Sequence, residues 1–319
     1  MEELTTTTIG SFPLPMGIDG FKRSLQVQVK AGIDYPAVPQ LEDFCIMFLR
    51  EIAEKGKGIE RRGEHFILSG PIEPPKEPSI VRDVSFAVTV LKGMNVDKGL
   101  KVQVTGPFTL SSSVKFLDKT VMSYPDLVEN FADAIAEMLI STLNFEEVEV
   151  AFVDEPALRY ALWYGYDDNF VAGILNRIFK RLGQDVERGL HVCGDARGLS
   201  VVTLKLDVEI LHHEFAGFLK NFEAYSLAEL ISAGKMLGIG AVTTRPVDSI
   251  LKIESVEEVE RLLKKALVTY GPRIVVAPDC GFRGLLEFWR FDEAIDVTFR
   301  KLKVMVEASK KIRKENSYL

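Results

Sequence analysis

The sequence predicts an α/β protein built as a single (β/α)8 TIM barrel, with a hairpin-like insertion near residues 56–78. Three observations carry this expectation. Strand-like runs alternate with amphipathic helical runs, and eight strand candidates in a chain of 319 residues is the count a closed parallel barrel uses. The glycine loops of the main alternative, an open doubly wound sheet, are missing: no G-x-G-x-x-G follows the first strand and no G-x-x-x-x-G-K-[ST] occurs. Six strand ends carry reactive or backbone-permissive residues, and barrels keep their chemistry at the C-terminal ends of strands.

Thr5–Gly10 and Ile33–Val38 open the alternation. The stretch Gly56–Pro78 departs from it, with a Gly/Arg-rich turn, a short run His65–Leu68 and a Pro-rich segment from Pro71; it reads as a hairpin excursion from the barrel. Lys101–Gly106 is the third strand, and in Pro125–Leu143 the apolar residues Leu127, Val128, Phe131, Ala134, Ile135, Met138 and Leu139 repeat near every 3.6 residues, as on one helix face. Val150–Asp154, Leu190–Gly194, Val208–Glu214, Ile239–Val242 and Ile274–Ala277 complete the strands. Ser255-Val256-Glu257-Glu258 is a capping box opening a helix over Val256–Val268, and Asp292–Lys311 is a final helix whose basic end suits the helix dipole. With no linker or low-complexity tract, residues 1–319 are expected to form one domain.

Composition narrows the function classes. With 47% apolar and 27% charged residues the chain is ordinary globular material rather than disordered. Lys+Arg number 39 against 46 Asp+Glu, a net charge of −7, so the basic surplus of a nucleic-acid binder is missing. Three cysteines, Cys45, Cys193 and Cys280, make no disulfide framework. The acidic start Met1-Glu2-Glu3-Leu4 has no secretory pattern, and no apolar run reaches the roughly 18–20 residues of a membrane span. A reducing, cytoplasmic setting without membrane is expected.

Among the strand ends, His191 and Cys193 form the sharpest pair. At i and i+2 on a strand both side chains face one way, so an imidazole nitrogen and a thiolate can share a cation. Cys280 and one carboxylate, Glu214, would complete four ligands, and two thiolates with an imidazole select zinc over magnesium or calcium. The competing reading is a buried, hydrogen-bonded histidine beside inert core cysteines. Ligands spread over about 90 residues assemble only in a finished fold, as catalytic sites do, and no second close pair supports a zinc finger. Asp154-Glu155 reads as a general acid/base pair, as one carboxylate gripping a substrate ammonium, or as a solvated turn before Pro156. Neighbouring strand residues face opposite ways, so only one of the two reaches a common ligand. Ser11 lacks the G-x-S-x-G elbow and suits a backbone or hydroxyl contact rather than a nucleophile. Cys45 reads as core, His65 has no visible partner, and Trp163 and Tyr164 either floor a pocket or pack.

With these residues in place, the chain resembles the catalytic domain of cobalamin-independent methionine synthase, in its short stand-alone form. Thr6-Thr7-Thr8-Ile9-Gly10-Ser11-Phe12-Pro13, Thr105-Gly106-Pro107-Phe108-Thr109, Asp154-Glu155-Pro156-Ala157-Leu158-Arg159, His191-Val192-Cys193 and Pro278-Asp279-Cys280-Gly281 match that family's motifs in its order. The resemblance implies zinc on His191, Cys193, Glu214 and Cys280. It also implies homocysteine bound at its amino-acid end by Ile9, Gly10 and Ser11, with Asp154 on the ammonium. The family's further glutamate falls in Pro39-Gln40-Leu41-Glu42-Asp43-Phe44, where Gln40 and Glu42 both stand as candidates. The implied reaction is zinc-dependent methylation of the homocysteine thiol to methionine.

Departures from the family pattern bear on the methyl donor. Ser113 stands where the family stacks a tryptophan on folate, Tyr160 where it has a folate-contacting glutamate, and Ala241-Val242-Thr243-Thr244-Arg245-Pro246 where it carries a proton-donating histidine. These losses point to a methylated corrinoid (methylcobamide), either free or on a corrinoid carrier protein, as in short relatives. Two other expectations stay open: the same barrel acting on a different thiol, and a non-catalytic zinc barrel that binds a corrinoid protein or an amino acid.

Overall fold

Strands buried along nearly their whole length are what a parallel sheet covered on both faces requires, and six segments of this chain meet that condition. The computed structural model describes residues 3–246 and 252–316; Met1 and Glu2 of the acidic start and the last residues of the 1–319 span lie outside the described residues. In chain order the strands are β1 (Lys57–Arg62), β2 (His65–Glu73), β3 (Leu100–Thr105), β4 (Val114–Phe116), β5 (Lys119–Thr120), β6 (Val148–Asp154), β7 (Glu187–Val192), β8 (Ile210–Glu214), β9 (Met236–Gly240) and β10 (Ile274–Ala277). The main sheet has the order β10-β9-β8-β7-β6-β3, and its pairings are parallel throughout.

Two further staves close this sheet into a ring. Thr6 bridges Val276 of β10, Thr7 bridges Tyr35, and Ala37 bridges Lys101 of β3, all in parallel sense. The hydrogen bonds Thr7 N to Val276 O (2.9 Å), Tyr35 N to Thr6 O (3.0 Å) and Val38 N to Lys101 O (2.8 Å) follow the same path. These staves sit where strands one and two are expected but make isolated bridges instead of full ladders. The cause is local: Pro36 has no N–H to give, and Asp34 takes both the backbone N–H and the hydroxyl of Thr6 (2.9 and 2.8 Å). The seventh barrel strand runs over Met236–Gly240 instead of Ile239–Val242, because Gly238 and Gly240 weaken its strand signal while all five residues are buried.

The insertion is a hairpin, β1 antiparallel to β2, and it continues further than the sequence suggests: β2 passes through Pro71 to Glu73. A register shift between Lys57 and Ile59 makes this possible. Gly58 there has φ +86°, and a Cβ on it would stand 2.3 Å from the Pro71 carbonyl oxygen. A second small hairpin, β4 with β5, joins the free edge of β2 and gives a four-stranded sheet, β1-β2-β4-β5.

The helix expected over Pro125–Leu143 spans Pro125–Ile140 and tightens into a 3-10 turn at Ser141–Asn144. Ser141 and Thr142 donate their hydroxyls back to Met138 O and Leu139 O, offering the chain an alternative to a further helical turn. The Ser255–Glu258 capping box forms as read and opens a helix that runs to Tyr270. Inside the ring, Val150, Phe152, Ile210, Met236 and Val275 form an apolar plug of their own. One inward position further along the strands the plug gives way to polar side chains: Asp154 aligns with His191, and His191 with His212. The site is built there.

Candidate metal centre

β7 ends at Val192, which leaves His191 facing the barrel interior and Cys193 two residues on, at the start of the following loop. β10 delivers Cys280 from the loop after Ala277. His191 Nε2 lies 3.1 Å from Cys193 Sγ, and Cys193 Sγ lies 3.2 Å from Cys280 Sγ. The three ligand atoms fall within 4.8 Å of one another. A tetrahedral zinc site has ligand–ligand edges of about 3.5–3.8 Å, so a small outward relaxation admits the ion, and the donor set of two sulfurs and an imidazole is one zinc takes. The cluster fits the metal.

Electrostatics bind these groups together. The hydrogen bond from Cys193 holds Cys280 well below the usual thiol range, with His191 adding to the effect, and Cys193 is pushed up as the donor. Burial opposes a charge on His191, yet the hydrogen bond and charge of Cys280 outweigh it and raise the imidazole. Glu214, the fourth expected ligand, ends β8 beside them, but its carboxylate is turned to Arg245 at 2.6 Å and is outside the three-residue cluster.

Asp154 ends β6 buried, and its Oδ1 has no hydrogen-bond partner. Burial raises its pKa, while Lys101 and His191 work in the opposite direction. The first stave reaches the same rim: Gln40 N donates to Gly10 O (2.7 Å), Phe12 N to Gln40 O (3.0 Å) and Phe282 N to Ser11 O (2.8 Å). Ile9, Gly10, Ser11 and Gln40 are thereby tied to the loop bearing Cys280. A Cβ at Gly10 would overlap the Gln103 amide at 2.0 Å, so a side chain there would have to displace the nitrogen that donates to Val38 O. Of the two candidates in the Gln40–Glu42 stretch, Gln40 is buried at this rim, whereas Glu42 is paired with Arg50 at 2.7 Å.

Glu155 faces away from Asp154, as strand alternation requires. Its carboxylate accepts from Phe108 N (3.0 Å), Thr109 N (2.7 Å) and the Thr109 hydroxyl, and the same hydroxyl accepts from Ala157 N (3.1 Å). The Thr-Gly-Pro-x-Thr and Asp-Glu-Pro-Ala-Leu motifs therefore interlock, and Gly106 leaves the space that Glu155 occupies, 2.1 Å from where a Cβ would be. Cys45 packs against the core as expected, its thiol pushed up to about 12 by burial. His65 is exposed.

A family model described as the catalytic domain of cobalamin-independent synthase matches residues 62–311. The chain belongs to that family. Membership makes it an enzyme, a methyltransferase. It is 29% identical to a methionine synthase of Methanocaldococcus jannaschii, over 97% of this chain and 100% of that protein. It is 28% identical to one of Methanothermobacter thermautotrophicus, over 96% and 99%. Its fold is similar to that of a B12-independent methionine synthase from Shewanella sp. W3-18-1 solved with selenomethionine, with a TM-score of 0.77 at 21% identity, covering 99% of this chain and 100% of the other.

The cobalamin-independent synthase fold also brings in residues that motif reading passed over. Lys101 is wholly buried, donates to Thr8 O at 2.8 Å and lies 4.3 Å above the Phe152 ring; burial lowers its pKa to about 8. Its signal was present: a lysine and a glutamine inside the apolar strand Lys101-Val102-Gln103-Val104. Arg245 and His212 carry no such local signal, because their partners Glu214 and His191 come from other strands.

Proposed function

We propose that this chain transfers a methyl group to the thiol of homocysteine to give methionine, at a zinc ion held by His191, Cys193 and Cys280. The observation that carries the reading is the convergence of those three donors on one side of a buried Asp154 whose Oδ1 is unpartnered. Zinc held by such a set would supply a thiolate at neutral pH by lowering the pKa of a coordinated thiol, and that sulfur would take the methyl group as its bond to the donor breaks. The chain's own residues do the rest. Asp154 accepts hydrogen bonds from the substrate ammonium; burial raises its pKa, Lys101 and His191 oppose that rise, and the entering ammonium adds a further positive charge beside it. Backbone groups of Ile9, Gly10 and Ser11, with Gln40, hold the amino-acid end, which aligns the sulfur. Glu214 ends β8 beside these donors with its carboxylate held by Arg245 at 2.6 Å, which leaves the three-residue cluster with room for a substrate sulfur as a fourth ligand were zinc bound. In this reading residues 1–319 work as one catalytic barrel in a reducing, cytoplasmic setting that keeps Cys193 and Cys280 reduced.

We further propose a methylated corrinoid as donor, free or on a carrier protein. Three positions support it. The Ser113 hydroxyl is spent on Thr109 O (3.3 Å), Tyr160 is half exposed and edge-on to Trp163 (5.2 Å), and Thr243 is bound by Glu254 (2.8 Å), so none offers a stacking indole, a carboxylate or an imidazole. A folate donor is the second reading, favoured by the family description as cobalamin-independent. The test is methionine formation by zinc-loaded protein from homocysteine with methylcobalamin or with methyltetrahydrofolate. Product from methylcobalamin alone is expected. Product from the folate alone would overturn the donor assignment and leave the acceptor intact, and no product from either donor would overturn the free corrinoid as donor.

A further inference from the structure

We propose that His212 is a positioning residue that fixes the orientation and tautomer of His191 for the metal. The proposal rests on the zinc reading of the cluster. His191 and His212 are register partners on β7 and β8. Their Nδ1 atoms lie 2.7 Å apart, and the rings are tilted by 42° at a centroid distance of 4.8 Å.

A contact between two imidazole nitrogens needs one donor and one acceptor. His191 Nε2 faces Cys193 Sγ at 3.1 Å and must keep its lone pair to bind a cation. The proton of His191 therefore sits on Nδ1, and His212 Nδ1 accepts it. His212 in turn carries its own proton on Nε2, on the ring edge away from His191, and the Pro278 backbone is the hydrogen-bond acceptor for this ring.

The fold also makes room for this ring. A Cβ at Gly238 would come within 2.8 Å of both Cβ and Cδ2 of His212. His213, one residue on, shows what a histidine held by structure alone looks like here. It faces outward with both nitrogens engaged, Nδ1 by Val192 O (3.2 Å) and Nε2 by the Tyr225 hydroxyl (2.8 Å). Metal-bound histidines depend on the partner of their second nitrogen for orientation, commonly a carboxylate or a carbonyl. An imidazole in that place holds the ring without adding negative charge to a site that already has two sulfurs.

The experiment is zinc affinity, measured by competition with a chromophoric chelator, for wild type, His212→Leu and His212→Asn. Loss of the acceptor in His212→Leu is expected to weaken zinc binding by about 10–100-fold. His212→Asn, whose Oδ1 can accept from His191 Nδ1, is expected to stay within about threefold of wild type, in the range where a retained hydrogen bond leaves affinity nearly unchanged. Cobalt-loaded protein gives a second readout: its visible spectrum should shift in His212→Leu and be restored in His212→Asn. Wild-type tightness in His212→Leu, or equal weakness in both variants, would overturn the proposal. A wild type that binds no zinc would instead overturn the metal reading itself. Ring-nitrogen NMR of zinc-loaded wild type needs no variant: protons on His191 Nδ1 and His212 Nε2 support the assignment, and a proton on His212 Nδ1 refutes it.

Discussion

Asp154 and Glu155 are adjacent in the chain and opposite in use. Asp154 turns into the barrel with one oxygen unpartnered, and Glu155 turns out to hold the helix at Pro107–Ser112. Replacing Asp154 with Asn keeps the shape and removes the charge, so the homocysteine KM should rise about tenfold or more while kcat changes less; an unchanged KM would remove Asp154 from the ammonium site. Glu155 makes a pH prediction. Burial raises its pKa from 4.5 to about 7, so the folded state binds this proton more tightly than the unfolded chain. The associated stability is present below pH 4.5 and is lost as the pH rises to about 7, by up to about 3 kcal/mol. Urea unfolding at pH 5 and pH 8 should show a smaller pH difference for Glu155→Gln than for wild type. The residue scale is also where sequence reading was sharpest and where it stopped. His191 and Cys193 share a face by strand alternation alone, a local rule, so their pairing was legible. The Arg245–Glu214 and His191–His212 contacts depend on register between strands distant in sequence, which no local rule supplies.

At the scale of elements, the loop following β9 shows how the rim is held. Lys301 in the helix Phe291–Asn316 is fully buried and donates to Glu254 (2.7 Å) and Thr243 (3.1 Å), and Glu254 also accepts from the Thr243 backbone and hydroxyl. Removing one partner of a buried pair strands the other. Lys301→Met should therefore destabilise the protein by about 3–5 kcal/mol in urea unfolding, with Lys301→Met/Glu254→Gln recovering part of the loss. No recovery in the double variant would mean that the pair is not the source. Element positions were largely readable, because alternating buried strands and amphipathic helices leave a periodic mark. The exceptions have definite causes: Pro36 and Asp34 thin the ladders of the first two staves, Gly238 and Gly240 mask β9, and the bulge at Gly58 lets β2 run past Pro71.

For the whole molecule, closure of eight staves brings strand ends far apart in sequence onto one rim, and the chemistry depends on that closure. Ile9–Ser11, Gln40, Asp154, His191, Cys193, Glu214 and Cys280 come from six staves and the loops that follow them. Among the described residues no helix is long and apolar enough to cross a membrane. The central claim is that one zinc ion at His191, Cys193 and Cys280 supports methylation of the homocysteine thiol. Its most direct test is methionine yield from homocysteine as zinc is added back to stripped protein. The yield should climb with zinc and break at one equivalent per chain, with Cys280→Ala flat throughout. A yield independent of zinc, or a Cys280→Ala protein that titrates like wild type, would contradict the account.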